Sequence, residues 1–589
     1  MKETLIDLSI ELLKRSKPEE EIIFTKINDK YFGTSVIDLF NKILNFSEFI
    51  ESSKLKENDT VAIISENRVE WIIADIGTLL AKRINVPVYT TLSSESIKFI
   101  LKDSNAKIAC VSNNLQLEKL LKIKKDLPHL KKIITFFDYK QKDEKLISSI
   151  DKIYNNKQQY NKNELIKIFE DKSKRINPED IITIIYTSGT TGIPKGVMLT
   201  HKNIYGNLAA CYKVLNINSS DVFLSYLPYS HIYERTTGYY FPFFNSSRIY
   251  YAQSIDTIGL QMQEVKPTIV ITVPRLLDKM YNRLNKSFEE MPKGAKKRLF
   301  KWAIDIARNP KIKKTSFKWM LADKLVFKTI REKTGGRLKF FVSGGGALNK
   351  TIGEFFDRIG IVTLEGYGMT ETSPVISVNR PEFNKYGTVG PPLDGVSVNI
   401  ASDGEILVKG DLVMKGYYNN PEETAKTIVN GWLHTEDIGE MDEDGFIKIT
   451  DRKKSLFKSS GGKYIAPMHI EELILQIPYI DQVLIVGNER MYVTALIVLE
   501  NEALKELAKE LGIKEEEDLF ANELIKKRIE KDINEKQKDL APHEKIRKFS
   551  ILKEAFSIEN GELTPTLKIK RKFVEEKYKD IIEKMYHKV

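Results

Sequence analysis

Between residues 60 and 115, short apolar runs alternate with longer stretches of helical spacing. TVAIIS (60–65), NVPVYT (85–90) and KIACVS (107–112) read as buried strands, and RVEWIIADIGTLLAKR (68–83) reads as a helix between the first two. That rhythm predicts parallel strands joined by helical crossovers. It recurs later, where a helix around 201–214 leads to VFLSYLP (222–228), TIVITVP (268–274) precedes a helix, and RLKFFVSGGGAL (337–348) is a strand ending in a glycine turn. From 385 to 450 the pattern changes to short strands and turns, such as GVSVNI, GEILVKG and GFIKIT, which predicts a β-rich subdomain. After DRKK (451–454) it changes again. IDQVLIVGN and MYVTALIVLE read as a hairpin, followed by a charged helical region over 502–538. The expected fold is α/β, with mixed parallel sheets, helices and the β-rich subdomain in an N-terminal domain (1–452). A small α+β C-terminal domain (453–589) completes it.

A chain of 589 residues is too long for a single core, which agrees with two domains. Its two cysteines, Cys110 and Cys211, lie far apart and offer neither a disulfide framework nor metal-ligand spacing, which points to a reducing compartment. MKETLIDLSIELLKRSKPEE at the start reads as an amphipathic helix rather than a signal peptide. No apolar run is long enough to span a bilayer. The expected location is cytoplasmic, at most peripheral on the inner face of a membrane. The net charge of +11 is too small for this length to imply nucleic acid as a partner. It is uneven, however. Lys293 to Lys318 holds ten Lys/Arg and one acid, Asp305, with Phe300, Trp302 and Phe317 interleaved. Such a stretch over 293–319 suits an anionic membrane surface, and equally a solvated helix face whose aromatics pack inward.

Candidate chemistry starts with YTSGTTGIPKGVMLTH (186–201), which follows the β-branched run IITII. Glycines let backbone amides converge on an anion, and the Ser/Thr hydroxyls and Lys195 add donors, so phosphate is the expected ligand. The loop is not a Walker motif, because Lys195 sits between Pro194 and Gly196, and it lacks the Gly-x-Gly start of a dinucleotide fingerprint. Other chemically dense segments follow in order: LPYSHIYERT (227–236), SGGGAL (343–348), EGYGMTETSP (365–374), GWLHTEDIG (431–439), DRKKSLFKSSGGKYIAP (451–467) and LTPTLKIKRK (563–572).

Together these segments resemble the adenylate-forming (ANL) superfamily, and within it the AMP-forming long-chain fatty acid–CoA ligases. The resemblance runs through almost the whole chain in the right motif order. It implies attack of a fatty carboxylate on the α-phosphorus of ATP, giving acyl-AMP and pyrophosphate, and then transfer to CoA with release of AMP. By resemblance, Thr187, Ser188, Gly189, Thr190, Thr191, Gly192 and Lys195 hold the β- and γ-phosphates. Glu371 holds Mg²⁺, and Thr370 donates to the α-phosphate. Tyr367 stacks on adenine beside the Gly345–Gly346–Ala347 turn, with Glu365, Gly366, Gly368 and Met369 of the same segment as nucleotide contacts. Asp437 takes both ribose hydroxyls, and Arg452 positions ribose or phosphate. His231 lies at the acyl carboxylate or the pantetheine exit, and Lys568 is the catalytic lysine. Lys454 matches the hinge of a mobile C-terminal domain, and Lys458 and Gly461 match positions serving thioester formation. The implied cofactors and partners are ATP, Mg²⁺, CoA and a long-chain fatty acid. Oligomeric state stays open, a homodimer included.

Several alternatives remain. Lys570 or Lys572 could replace Lys568, Glu234 and Arg235 could simply pair with each other, and GYYFPFF (238–244) could be either a tunnel wall or core. The acyl acceptor could be a carrier protein, or the reaction could stop at acyl-AMP. More remotely, the fold could serve non-catalytic membrane or nucleic-acid binding. The chain departs from the family pattern at Leu567, before the catalytic lysine, where the family often has Gly. It also departs at Glu436, where the family usually has Gly; a turn served by that glycine would cost a Glu more, and the extra carboxylate adds negative charge that bears on nucleotide affinity.

Overall fold

The computed structural model describes all residues except 1–2, 140–144, 155–157, 189–193, 256, 454–455, 461–462, 514–517, 565–567 and 587–589, with the backbone alone at 188 and 464. The chain divides into two compact units. One comprises 1–399, 407–434 and 441–448; the other comprises 400–406, 435–440 and 449–589. The chain passes from one to the other inside the strands Glu405–Lys409 and Trp432–Met441 of the β-rich region.

The first unit is built on two eight-stranded sheets. One contains the predicted strands Thr60–Ile64, Ile84–Val88 and Ile108–Val111, paired in parallel. Every residue of all three is buried, which explains why they read as unbroken apolar runs rather than alternating ones. Ile181–Ser188 continues this sheet and turns back antiparallel through Pro194–Thr200, so the phosphate-loop candidate connects two edge-ward strands. Gly416–Tyr417 then pairs with Pro194–Thr200, Tyr417 opposite Val197. The other sheet runs in parallel through Arg248–Tyr251, Val222–Ser225, Ile269–Thr272, Phe340–Ser343 and Thr363–Gly368, so LPYSHIYERT and the SGGGAL turn follow strand C-termini and EGYG forms the end of the last of these strands. That is where open α/β sheets carry ligands.

In the second unit the hairpin is present, Ile480–Val486 antiparallel to Val493–Leu499. Ile546–Leu552 joins it in parallel. The charged region over 502–538 resolves into the helices Asn501–Glu510 and Glu523–Lys536, whose Leu504, Leu507, Ile525, Ile529 and Ile533 pack onto the hairpin's apolar face.

Two readings are settled by burial. Glu234 and Arg235 do not pair. As adjacent residues in a helical segment they point about 100° apart. Arg235 meets Asp75 at 2.5 Å, with Thr183 and Tyr240 on its other nitrogens. Glu234 accepts from Ser225 at 2.6 Å, and burial pushes its carboxyl up to about 8. Gly238 makes room for that carboxyl, since a Cβ there would lie 2.4 Å from it. Of GYYFPFF, residues Tyr239, Tyr240, Phe243 and Phe244 are core, and Phe241 reaches a cavity wall.

Candidate active site

In the first unit a narrow cavity opens among the ends of the parallel strands. Its inner walls are apolar, formed by Leu208, Leu215, Ile232, Phe241, Ile269 and Phe340. Its thiol, Cys211, is pushed up to about 12 by burial, so it is wall and not nucleophile. The polar lining comes from the sequence-predicted segments, with His231, Thr236, Gly344, Gly345, Gly366 and Tyr367 all contributing. His231 caps the short helix Ile232–Glu234, and its Nδ1 accepts the Tyr233 amide at 3.1 Å. Accepting at Nδ1 leaves the ring proton on Nε2, a donor suited to a carboxylate. The Tyr233 ring packs against Gly344, where a Cβ would approach it to 2.8 Å, and its hydroxyl donates to the Val342 carbonyl at 2.9 Å. The glycine turn therefore needs a residue without a side chain.

Glu365 is buried, and its carboxylate accepts the Leu348 amide at 2.8 Å. Its side chain thus ties the SGGGAL turn to the EGYG strand. Gly346, Ala347, Gly368 and Met369 belong to the same two segments, and Gly368 and Met369 line the cavity.

Glu371 sits with Thr370 in the single-turn helix Thr370–Thr372, mostly buried. The Tyr417 hydroxyl donates to its Oε1 at 2.9 Å. Burial and the Glu371 carboxylate both raise the Tyr417 phenol, so it remains a donor. On the other side of the Tyr417 ring, 5.2 Å from its centroid, lies the Lys195 ammonium, which is paired with Glu423. The loop's lysine and the acid of EGYGMTETSP, 176 positions apart in sequence, are thus joined through one tyrosine. Thr187 is the penultimate residue of the strand leading into the loop, paired with Lys195 on the returning strand. Gly189, Thr190, Thr191 and Gly192 lie outside the described residues, as does the Ser188 side chain.

The second unit carries its own group. Asp437 is buried, and Arg452 Nε reaches its Oδ1 at 2.9 Å while keeping nearly half of its own surface open. The residue before it, Glu436, has φ of +62°, the left-handed conformation that a glycine adopts without strain. Its amide donates to buried Glu405 at 3.0 Å, and the Lys453 amide donates to its carbonyl at 2.7 Å. Lys568 has its ammonium within electrostatic reach of this pair. Surrounding protein and then Arg452 push it down to about 8, with Asp437 opposing. Its backbone is fixed by exchange with Thr564, at 2.8 and 3.0 Å. Lys458 lies on the short strand Phe457–Lys458. Lys454 and Gly461 lie outside the described residues.

Sequence reasoning missed Tyr417, Glu423 and Glu405. GYYNNPEET is a turn with acids, and nothing in its spacing points to Glu371. Only the strand pairing of Tyr417 with Val197 brings them together.

The chain has known counterparts. The profile described as AMP-binding enzyme matches residues 14–418, and that of the AMP-binding enzyme C-terminal domain matches 455–589. A long-chain-fatty-acid–CoA ligase of Mycobacterium bovis is 30% identical over 98% of this chain and 96% of its own. Long chain acyl-CoA synthetase 7, peroxisomal, of Arabidopsis thaliana is 34% identical over 91% of this chain and 79% of its own. Among solved structures, the adenylation domain of a Mycobacterium chelonae carboxylate reductase superposes with a TM-score of 0.78 at 20% identity, covering 99% of this chain and 91% of that one. The anthranilate CoA ligase AuaEII bound to anthranoyl-AMP gives 0.70 at 19%, covering 96% of each. The structural likenesses establish the fold, and with the profiles and the full-length relatives they place this chain in the AMP-binding, adenylate-forming enzyme family, in its long-chain acyl-CoA synthetase branch.

Proposed function

We infer that the protein activates a long-chain fatty acid with ATP, forming acyl-AMP and pyrophosphate, and passes the acyl group to CoA, releasing AMP. The carrying observation is the link Lys195–Tyr417–Glu371, which supports a shared role for the loop and the acid, beside an apolar cavity with a polar rim. In this reading the alkyl chain lies along Leu208, Phe241 and Phe340, and His231 Nε2–H holds the carboxylate. Tyr367 and the Gly345 turn receive the base. Thr370 and the 187–195 loop donate to phosphates, Asp437 and Arg452 take the ribose, and the Lys568 ammonium offsets charge developing between carboxylate and bridging oxygen.

Glu371 fits a hard cation, because its oxygens are anionic and Tyr417 orients one of them. Mg²⁺ would supply charge neutralisation across the phosphates. We place the working domain boundary at 452/453, with Lys454 as hinge, Lys458 and Gly461 serving the thioester step, and the basic stretch 293–319 meeting the cytoplasmic face of a membrane.

ATP–pyrophosphate exchange tests the first half-reaction, and it should require both a long-chain acid and Mg²⁺. Product mass with CoA against acyl carrier protein tests the second. Exchange without thioester on CoA would overturn the acceptor, and exchange independent of fatty acid would overturn the substrate. Lys454→Pro should spare exchange and block thioester release; equal loss of both rejects the hinge.

A further inference from the structure

Residues 293–333 hold fourteen Lys/Arg and three acids, Asp305, Asp323 and Glu332, an excess of eleven. The whole chain has the same excess, +11, so the remaining residues are balanced. This region forms the helices Ala295–Arg308 and Phe317–Ala322, the latter continuing through Asp323–Phe327 into Lys328–Glu332. Its inward face is ordinary core. Ala303, Ile304, Ala307, Ala322, Val326 and Phe327 are buried there. Phe300 stacks on Phe288, and Trp319 donates its indole N–H to the Arg358 carbonyl at 2.9 Å. Two of the three aromatics singled out in the sequence, Phe300 and Trp302, therefore pack inward.

The third does not. Phe317 is 76% exposed, and Met320, Leu321 and Leu325 on the same side are 51%, 38% and 46% exposed. Their spacing of three, one and four residues puts them on one helical face, interleaved with the exposed Lys318, Lys324 and Lys328. A solvated face needs lysines but gains nothing from four large apolar side chains.

We propose that this outer face, centred on Phe317, Met320, Leu321 and Leu325, docks the protein on an anionic lipid bilayer. The apolar side chains enter the acyl boundary, and the surrounding lysines meet lipid phosphates. Charge decides among the occupants. A second copy would set one strongly cationic face against another, which is repulsive. A nucleic acid would satisfy the lysines and leave the apolar group in water. The proposal deepens the reading of the enzyme as a fatty-acid ligase, because a bilayer is where a long-chain acid partitions.

The test uses the full chain and sedimentation with vesicles of phosphatidylcholine, with and without phosphatidylglycerol. Wild type should bind the anionic vesicles, weaken with salt and bind neutral ones poorly. The triple variant Phe317→Ser, Met320→Ser, Leu325→Ser should lose roughly tenfold or more in vesicle affinity. Lys318→Gln, Lys324→Gln, Lys328→Gln should lose the preference for phosphatidylglycerol. Both variants alter exposed side chains, and ATP–pyrophosphate exchange with a micelle-free acid should remain at the wild-type level. Equal vesicle binding by the Ser variant overturns the proposal, as does wild type binding duplex DNA in preference to anionic vesicles. A dimer that the Ser variant dissociates on gel filtration also overturns it, assigning the face to a second copy. Failed docking with intact exchange rejects the surface alone, and docking without exchange rejects the ligase reading alone.

Discussion

Two arginine–aspartate pairs lie in different units of this protein and differ in how far they are closed to water. Arg235 and Asp75 are both wholly buried. Tyr240 and Asn85 complete the aspartate's partners, and Trp71 lies under the guanidinium, 5.1 Å from it. Arg452 and Asp437 make a contact of similar length, but Arg452 keeps 47% of its side-chain surface and Asp437 only 5%. The first pair is closed on all sides and holds helix to helix across the core. In the second, a buried acid meets an arginine with nearly half of its surface in water, an arrangement that suits the ribose-binding role proposed for the two side chains together. Residue types alone do not separate a closed pair from one open to solvent; the exposure of the cation does.

The sharpest way to break this comparison is Asp75→Ala. It leaves Arg235 buried and uncompensated, and should cost about 3–5 kcal/mol in urea unfolding. A loss under about 1 kcal/mol would mean the pair is not closed. Lys568→Ala should lower the adenylation rate by about 10²–10³, with ATP binding by calorimetry and the unfolding midpoint both held. The same residue carries a pH signature. Its ammonium, pushed down to about 8, is charged below that value, so kcat/KM for exchange should fall tenfold per unit as pH rises beyond it. A flat profile to pH 10 would remove Lys568 from the charge-bearing role. Tyr417→Phe removes one bond to an ionised carboxylate. It should raise the Mg²⁺ concentration for half-maximal exchange about tenfold, a loss on the order of 1.5 kcal/mol. Arg452→Ala should shift stability by less than about 1 kcal/mol, as for a half-exposed pair, while raising KM for ATP severalfold. The smallest effect is Glu436→Gly, which should stabilise by roughly 0.5–1 kcal/mol in thermal unfolding by releasing a left-handed glutamate.

The parallel strands, the hairpin and the β-rich region were legible because burial on both faces, or on one, leaves a direct mark on residue order. The segments lining the cavity were legible because their residue types are locally unusual, as in SGGGAL, EGYG and the His231 segment. Glu436 was legible as a misfit, and the positive φ shows why glycine suits that turn. What escaped were partners set by sheet order. Arg235 finds Asp75 across 160 residues, and Tyr417 reaches Glu371 because a two-residue strand pairs beside Val197. The Glu365 bond to the Leu348 amide, which braces the two glycine segments, likewise left no mark in the local spacing. The apolar face at Phe317 was hidden because one helix carries two hydrophobic sides, and spacing cannot say which of them the core takes.

The backbone at Glu436 also bears on how the gene can change. Either glutamate codon becomes a glycine codon by one A-to-G transition at its second base. The relaxed turn is therefore a single replication error away, and a random library selected for heat tolerance should recover it among its first winners, unless the carboxylate at this spot serves the organism in a way that outweighs the gain.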